Sequence, residues 1–169
     1  MTSNFCLDNG VHFIGGVDPA SQEIITCKVT ESHVADSSVL PDLVERAAKT
    51  VKRVVADGAY DRKKCRDYLR GKNIKAHIPP SINARIRCGE EERNESIRVM
   101  SGCGVDHEGK SLWKKLTGYH IRSLVETPFS RLKRLFGERL RSRKIENQIV
   151  ETQLSFLVLN RMIQLSCIK

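Results

Sequence analysis

The apolar run Val54-Val55-Ala56 stops abruptly at Asp57-Gly58. A short continuous apolar stretch cut off by a turn signal reads as a buried strand, because only a strand covered on both faces tolerates apolar side chains at every position. A helix is expected next, from about Arg62 to Arg70 and closed by Gly71, then a second short strand over Ile74 to Ile78 that Pro79-Pro80 stops. Upstream, Val11 to Val17 and Glu23 to Thr30 flank the turn-forming Asp18-Pro19-Ala20-Ser21 and predict a β-hairpin. Asp36-Ser37-Ser38 can cap a helix whose apolar positions Val39, Leu40, Leu43, Val44 and Ala47 recur at helical spacing and which ends before Lys52. Strands alternating with helices make this an α/β fold.

Residues 81–110 lose this periodicity and gather Glu90, Glu91, Glu92, Arg93 and Glu95, so an irregular insertion or loop is expected there. Residues 111–169 read as a basic helical part with helices over Tyr119 to Phe136 and Glu146 to Leu165. The second carries Ile149, Val150, Leu154, Leu157, Val158 and Met162 on one apolar side. With 169 residues and 40% hydrophobic content, the chain is expected to form one globular domain. Its longest apolar run, Phe156 to Leu159, falls far short of the roughly 20 residues that cross a bilayer, and Met1 to Gly10 lacks a signal-like pattern. A soluble cytoplasmic protein is the expectation. Cys6, Cys27, Cys65, Cys88, Cys103 and Cys167 are scattered without paired spacing and read as reduced thiols; Cys88, Cys103 and His107 lack the fourth ligand of a zinc site.

Charge is distributed unevenly. Residues 110–169 hold 13 Lys plus Arg against 4 Asp plus Glu, whereas residues 1–109 hold 16 of each, so the whole formal charge of +9 sits in the last third. Such a block attracts a polyanion, of which nucleic acid is the usual one inside a cell, although a solvated helix face would look the same by charge alone.

Two features carry chemistry. Asp57 ends a buried strand, where a carboxylate points out of a sheet toward a ligand, although Asp-Gly is also an ordinary turn. Tyr119, Arg122, Glu126 and Lys133 lie at offsets that fall within roughly a 60° arc of one helix face at about 100° per residue. One carboxylate among three phosphate-compatible groups suits a helix that holds a metal and lies along a nucleic-acid strand. The bland alternatives are an i,i+4 surface pair for Arg122 with Glu126 and a core ring for Tyr119.

These residues resemble the bacterial insertion-sequence transposases of the DDE class, in the branch with a Tyr, Arg, Glu, Lys signature (the group typified by insertion sequences four and five). The stretch from Tyr119 through Arg122 and Glu126 to Lys133 meets that signature's spacing at every position. Arg134-Leu135-Phe136-Gly137 to Arg143 and Leu159-Asn160-Arg161-Met162 are similar to the family's tail, and Val55-Ala56-Asp57-Gly58-Ala59-Tyr60-Asp61 resembles the segment around its second catalytic Asp. The likeness covers about residues 17–165. It implies a ribonuclease H-like fold in which three carboxylates hold two Mg²⁺ or Mn²⁺ ions for strand cleavage and transfer at the ends of a mobile element. Asp57 and Glu126 would be two of those ligands. Arg122, Lys133, Arg134, Arg141 and Arg143 would contact double-stranded DNA, with Tyr119 near the cleaved strand. The resemblance also implies a homo-oligomer and a place on the bacterial nucleoid.

Two departures from the family pattern shape the expectation. About ten residues precede the hairpin, and Cys6-Leu7-Asp8-Asn9-Gly10 reads as a turn, with Asp8 the lone acid there. The chain is therefore expected to be an N-terminally truncated copy without the first central strand and its catalytic Asp, inactive alone or acting as a DNA-binding remnant that interferes with an intact transposase. Pro128 interrupts the signature helix: either Ser123 and Glu126 form a capping box, or Thr127 caps a new helix with Pro128 at its first position.

Overall fold

The computed structural model describes residues 2–7, 11–31, 33–47, 50–81, 83–102, 106–137 and 139–165. The hairpin forms as expected: β2 (Val11–Val17) and β3 (Ile24–Glu31) run antiparallel, and Asp18 closes their turn by accepting from the Ala20 N–H at 3.1 Å. A strand also precedes them. β1 (Thr2–Leu7) lies antiparallel to β2 from Thr2 opposite Gly16 to Leu7 opposite Val11, which corrects the expectation that no strand stands before the hairpin. Its polar Thr-Ser-Asn start hides it from a pattern search, yet suits a strand with one free edge. β1 pairs with β2 and, among the described residues, with no other strand, so the central position that the family resemblance implied is not what it occupies. Asp8, the lone acid before the hairpin, lies outside the described residues.

β4 (Arg53–Val55) and β5 (Lys75–His77) form a separate parallel pair, extended by the Ala56 N–H donating to the His77 carbonyl at 3.3 Å. A parallel pair needs a crossover, supplied by α2 (Lys63–Gly71). Successive residues of β4 point to opposite faces, and both faces are covered. Val54 and Ala56 pack with Ile14, Leu40 and Leu43 of α1 (Asp36–Glu45) and Leu69 of α2, while Val55 joins Val17, Ile24, Val125, Phe129, Phe156 and Leu159 on the other side. This accounts for the uninterrupted apolar run.

The segment 81–110 is more ordered than its sequence implies. α3 (Glu91–Gly102) and α4 (Asp106–Thr117) occupy most of what was expected to be irregular. The periodicity is missing because α3 buries Arg93 and Asn94, polar residues that a search for apolar spacing discards.

The signature helix is divided. Gly118, with φ 65°, ends α4; a 3-10 helix covers Tyr119–Val125, and α5 starts at Glu126 and runs to Phe136. Pro128 is the reason: it has no N–H to give Leu124 four residues back, so a continuous α-helix cannot pass, whereas in the first turn of a new helix that N–H is not required. Neither expected cap forms, since Ser123 Oγ donates to the His120 carbonyl at 2.8 Å and α5 has no side-chain cap.

α6 (Ile145–Gln164) is misjudged in the other direction. Its buried positions are Gln148, Thr152, Phe156 and Leu159, whereas Val150, Leu154, Leu157 and Val158 are exposed, Leu157 at 66%. Two stripes share this helix, and the more polar one meets the core because its polar groups find partners. Asn160 beside it pairs like a strand, accepting from the Ile24 N–H at 2.9 Å and donating to the Ile24 carbonyl at 2.8 Å.

Candidate active site

Asp57 follows β4 after one intervening residue, Ala56, and starts a one-turn 3-10 helix, Gly58–Tyr60, by accepting the Ala59 N–H at 2.9 Å on Oδ1. The buried Tyr60 ring anchors this turn in the core. The side chain stays partly exposed, and its other oxygen, Oδ2, has Arg122 Nη2 at 3.8 Å. Arg122 Nη1 lies 3.5 Å from Glu126 Oε1. One guanidinium thus stands between a carboxylate from the β4 turn and a carboxylate from the first residue of α5, and its buried Nε makes no hydrogen bond among the described residues.

The 3-10 helix explains how the spacing works. At three residues per turn Tyr119, Arg122 and Val125 fall in one line. Val125, fully buried against Val55 and Phe129, plugs that line into the core. Tyr119 is half-buried against Trp113, ring centroids 5.0 Å apart at 49°. Burial raises its hydroxyl pKa above the ordinary tyrosine value, Arg122 opposes that and Asp57 reinforces it.

Asp57, Tyr119, Arg122 and Glu126 are therefore brought together. Lys133 lies two turns of α5 beyond Glu126, about 10 Å along the axis and on nearly the same side. Arg134 follows it, exposed. Arg141 and Arg143 are exposed in the segment joining α5 to α6. That segment is clamped by Glu151, which no motif marks. Glu151 accepts the backbone N–H groups of Arg141 at 2.8 Å and Ser142 at 2.9 Å, and Gln148 Nε2 donates to the Ser142 carbonyl at 3.0 Å. Partial burial alone would raise the Glu151 pKa, but those two N–H groups hold it below the usual range. An acid within a basic block was the available signal.

Asp57 and Glu126 converge closely enough to share one positive charge, and both offer hard oxygen donors of the kind that suits Mg²⁺ or Mn²⁺. Among the described residues no group of three or more His, Cys, Asp or Glu is placed to hold a metal ion. Of the weaker zinc candidates, Cys88 is exposed, while Cys103 and the His107 side chain lie outside the described residues.

Comparison with known proteins gives this arrangement a context. No solved structure matches the chain. The family model of the transposase DDE domain matches residues 8–161, which takes in Asp57, the line from Tyr119 to Lys133 and the clamped basic segment. Because that match spans nearly the whole chain, the protein belongs to the DDE-domain transposases.

Proposed function

We propose that this chain acts on double-stranded DNA as the metal-dependent strand-cleaving and strand-transferring core of an insertion-sequence transposase of the Tyr-Arg-Glu-Lys branch, with a ribonuclease H-like arrangement. The observation that carries the reading is the convergence of Asp57 and Glu126 on Arg122. In this proposal Asp57 and Glu126 hold Mg²⁺ or Mn²⁺, which when bound makes an attacking oxygen nucleophilic and stabilises the leaving oxygen of the phosphodiester. Arg122 lies 3.8 Å from Asp57 and 3.5 Å from Glu126, and with those carboxylates committed to a cation its outer guanidinium nitrogens would serve a phosphate oxygen instead. Lys133, Arg134, Arg141 and Arg143 neutralise backbone phosphates farther along the duplex, and Tyr119 packs beside the strand at the scissile position.

A second reading, DNA binding without cleavage, draws on the described residues, which bring two carboxylates together where the reaction calls for three. One experiment separates the two. The purified chain is titrated with duplex DNA across a range of salt concentrations, and supercoiled plasmid is incubated with the chain and Mn²⁺. Binding that weakens steeply with salt supports both readings; nicking that Glu126→Gln abolishes, with binding kept, selects the first. No binding at low salt overturns both, and nicking that survives Glu126→Gln overturns the assignment of Glu126.

A further inference from the structure

Asp61 ends the same 3-10 turn that Asp57 begins, and its own environment is unlike that of a surface acid. Its side chain is 2% exposed and receives Arg66 Nε at 2.7 Å and Arg93 Nε at 3.0 Å on Oδ1, with the Ser81 backbone N–H at 3.1 Å on Oδ2. Each arginine has a second attachment: Arg66 Nη2 donates to the Ile78 carbonyl and Arg93 Nη1 to the Arg85 carbonyl, both at 2.8 Å. Glu90, also buried, lies 3.6 Å from Arg93 Nε, so two carboxylates and two guanidinia are buried together, and the half-exposed Arg87 reaches Glu90 from outside at 3.6 Å. Burial would raise the Asp61 pKa, but the two arginines and the Ser81 N–H bring it below the ordinary carboxylate range.

Asp61 thereby ties together three separate pieces of the chain: α2 through Arg66, α3 through Arg93, and the segment after β5 through Ser81. Backbone bonds link it to Asp57, the Asp61 N–H donating to the Gly58 carbonyl at 3.0 Å and the Tyr60 N–H to the Asp57 carbonyl at 3.2 Å. Among the described residues the Asp57 carboxylate has one close bond of its own, from Ala59, and a distant Arg122. What holds the Asp57 turn in place is therefore largely at its far end.

We propose that Asp61 is a positioning residue for Asp57, and that through Arg93 the placement of this carboxylate depends on α3. The proposal rests on the reading of Asp57 as a metal ligand. Ion pairs buried this deeply return little net stability for the desolvation they cost, so a charged quartet at this point is better explained by the geometry it enforces. Outer partners that orient ligands change metal affinity by about 10- to 100-fold when removed.

The test compares the wild-type chain with Asp61→Asn and Arg93→Lys, all checked for folding by circular dichroism. Amide hydrogen exchange is followed at residues 58–61 and in β2 and β3, and Mn²⁺ binding is measured by water-proton relaxation, with Asp57→Asn as control. The expected result is faster exchange confined to residues 58–61 and Mn²⁺ binding weakened about tenfold in Asp61→Asn. Arg93→Lys, which keeps the charge but loses the planar fork, should fall between, and it carries both measurements if Asp61→Asn does not fold. Exchange at residues 58–61 that is no faster than wild type overturns the positioning role, as does Mn²⁺ affinity unchanged in a loosened turn. A wild-type chain that takes no Mn²⁺, while its turn still loosens on Asp61→Asn, overturns instead the ligand role of Asp57 and leaves the tether standing.

Discussion

At the scale of single residues, the roles with the largest energetic stake belong to polar groups that no periodic pattern marks. Asp57, Tyr119, Arg122 and Glu126 were legible because their types and spacing match a known chemistry, and the structure brings them together. Asp61, Arg93, Glu151 and Asn160 were not, since each takes its meaning from partners far away in sequence, as when Asn160 bonds Ile24 across 136 positions. Asn160→Ala would leave both backbone groups of Ile24 without their partner, at a cost of about 1 to 3 kcal/mol per group, measured as a lower urea midpoint at unchanged slope. Asp61 makes a prediction in pH. Its folded pKa lies below that of the unfolded chain, about 3.9, so the folded state binds fewer protons near that value. Its contribution is fully present above pH 4 and is lost as pH falls through the lower, folded pKa. The stability gap between wild type and Asp61→Asn, read from urea unfolding at pH 7, 4 and 3, should therefore close toward the acid end.

At the scale of elements, the hairpin, β4, β5, α1 and α2 followed from local signals, whereas β1 escaped them and the long helices misled in proportion to their polar content. The β4 run, the hairpin and α2 were read within a few residues because their burial is uniform or alternating. α3 and the buried face of α6 were missed because arginine, asparagine, glutamine and threonine face the core there. This assignment can be checked by a pair of substitutions two positions apart. Leu157→Gln on the exposed stripe should change stability by less than about 0.5 kcal/mol, whereas Leu159→Ala, fully buried, should cost about 2 to 5 kcal/mol. The seating of α5 is equally specific. Gly15 of β2 faces Phe129, and a methyl group there would stand 2.7 Å from the ring's Cζ, so the helix is admitted against the sheet by the missing side chain. Gly15→Ala should cost about 1 to 3 kcal/mol by overpacking, and because Glu126 lies one turn before Phe129, Mn²⁺ binding should weaken with it.

At the scale of the whole molecule, the uneven charge and the two cores divide the labour. Within the electrically balanced residues 1–109 charges pair with one another, as in the buried Asp61 network and the partly exposed Lys28–Asp42 pair at 2.8 Å that fastens α1 to β3. In the basic last third, Glu126 answers Arg122 and Glu151 is spent on backbone N–H groups, so neither acid is hydrogen-bonded to the side chain of Arg141 or Arg143. A positive surface held in shape by its own backbone contacts is what binding to a regular polyanion requires, because counterion release rewards cations whose positions match the phosphate spacing. Each phosphate contact contributes about −0.9 to the slope of log affinity against log salt. Replacing both Arg141 and Arg143 by Gln should therefore make the slope shallower by about 2 and weaken binding by a similar factor on every duplex sequence. Both side chains are exposed, so the urea midpoint should stay where it is. An unchanged slope would mean that the clamped segment faces away from the DNA and that the contacts come from α5 alone, where Lys133→Gln should then carry the loss.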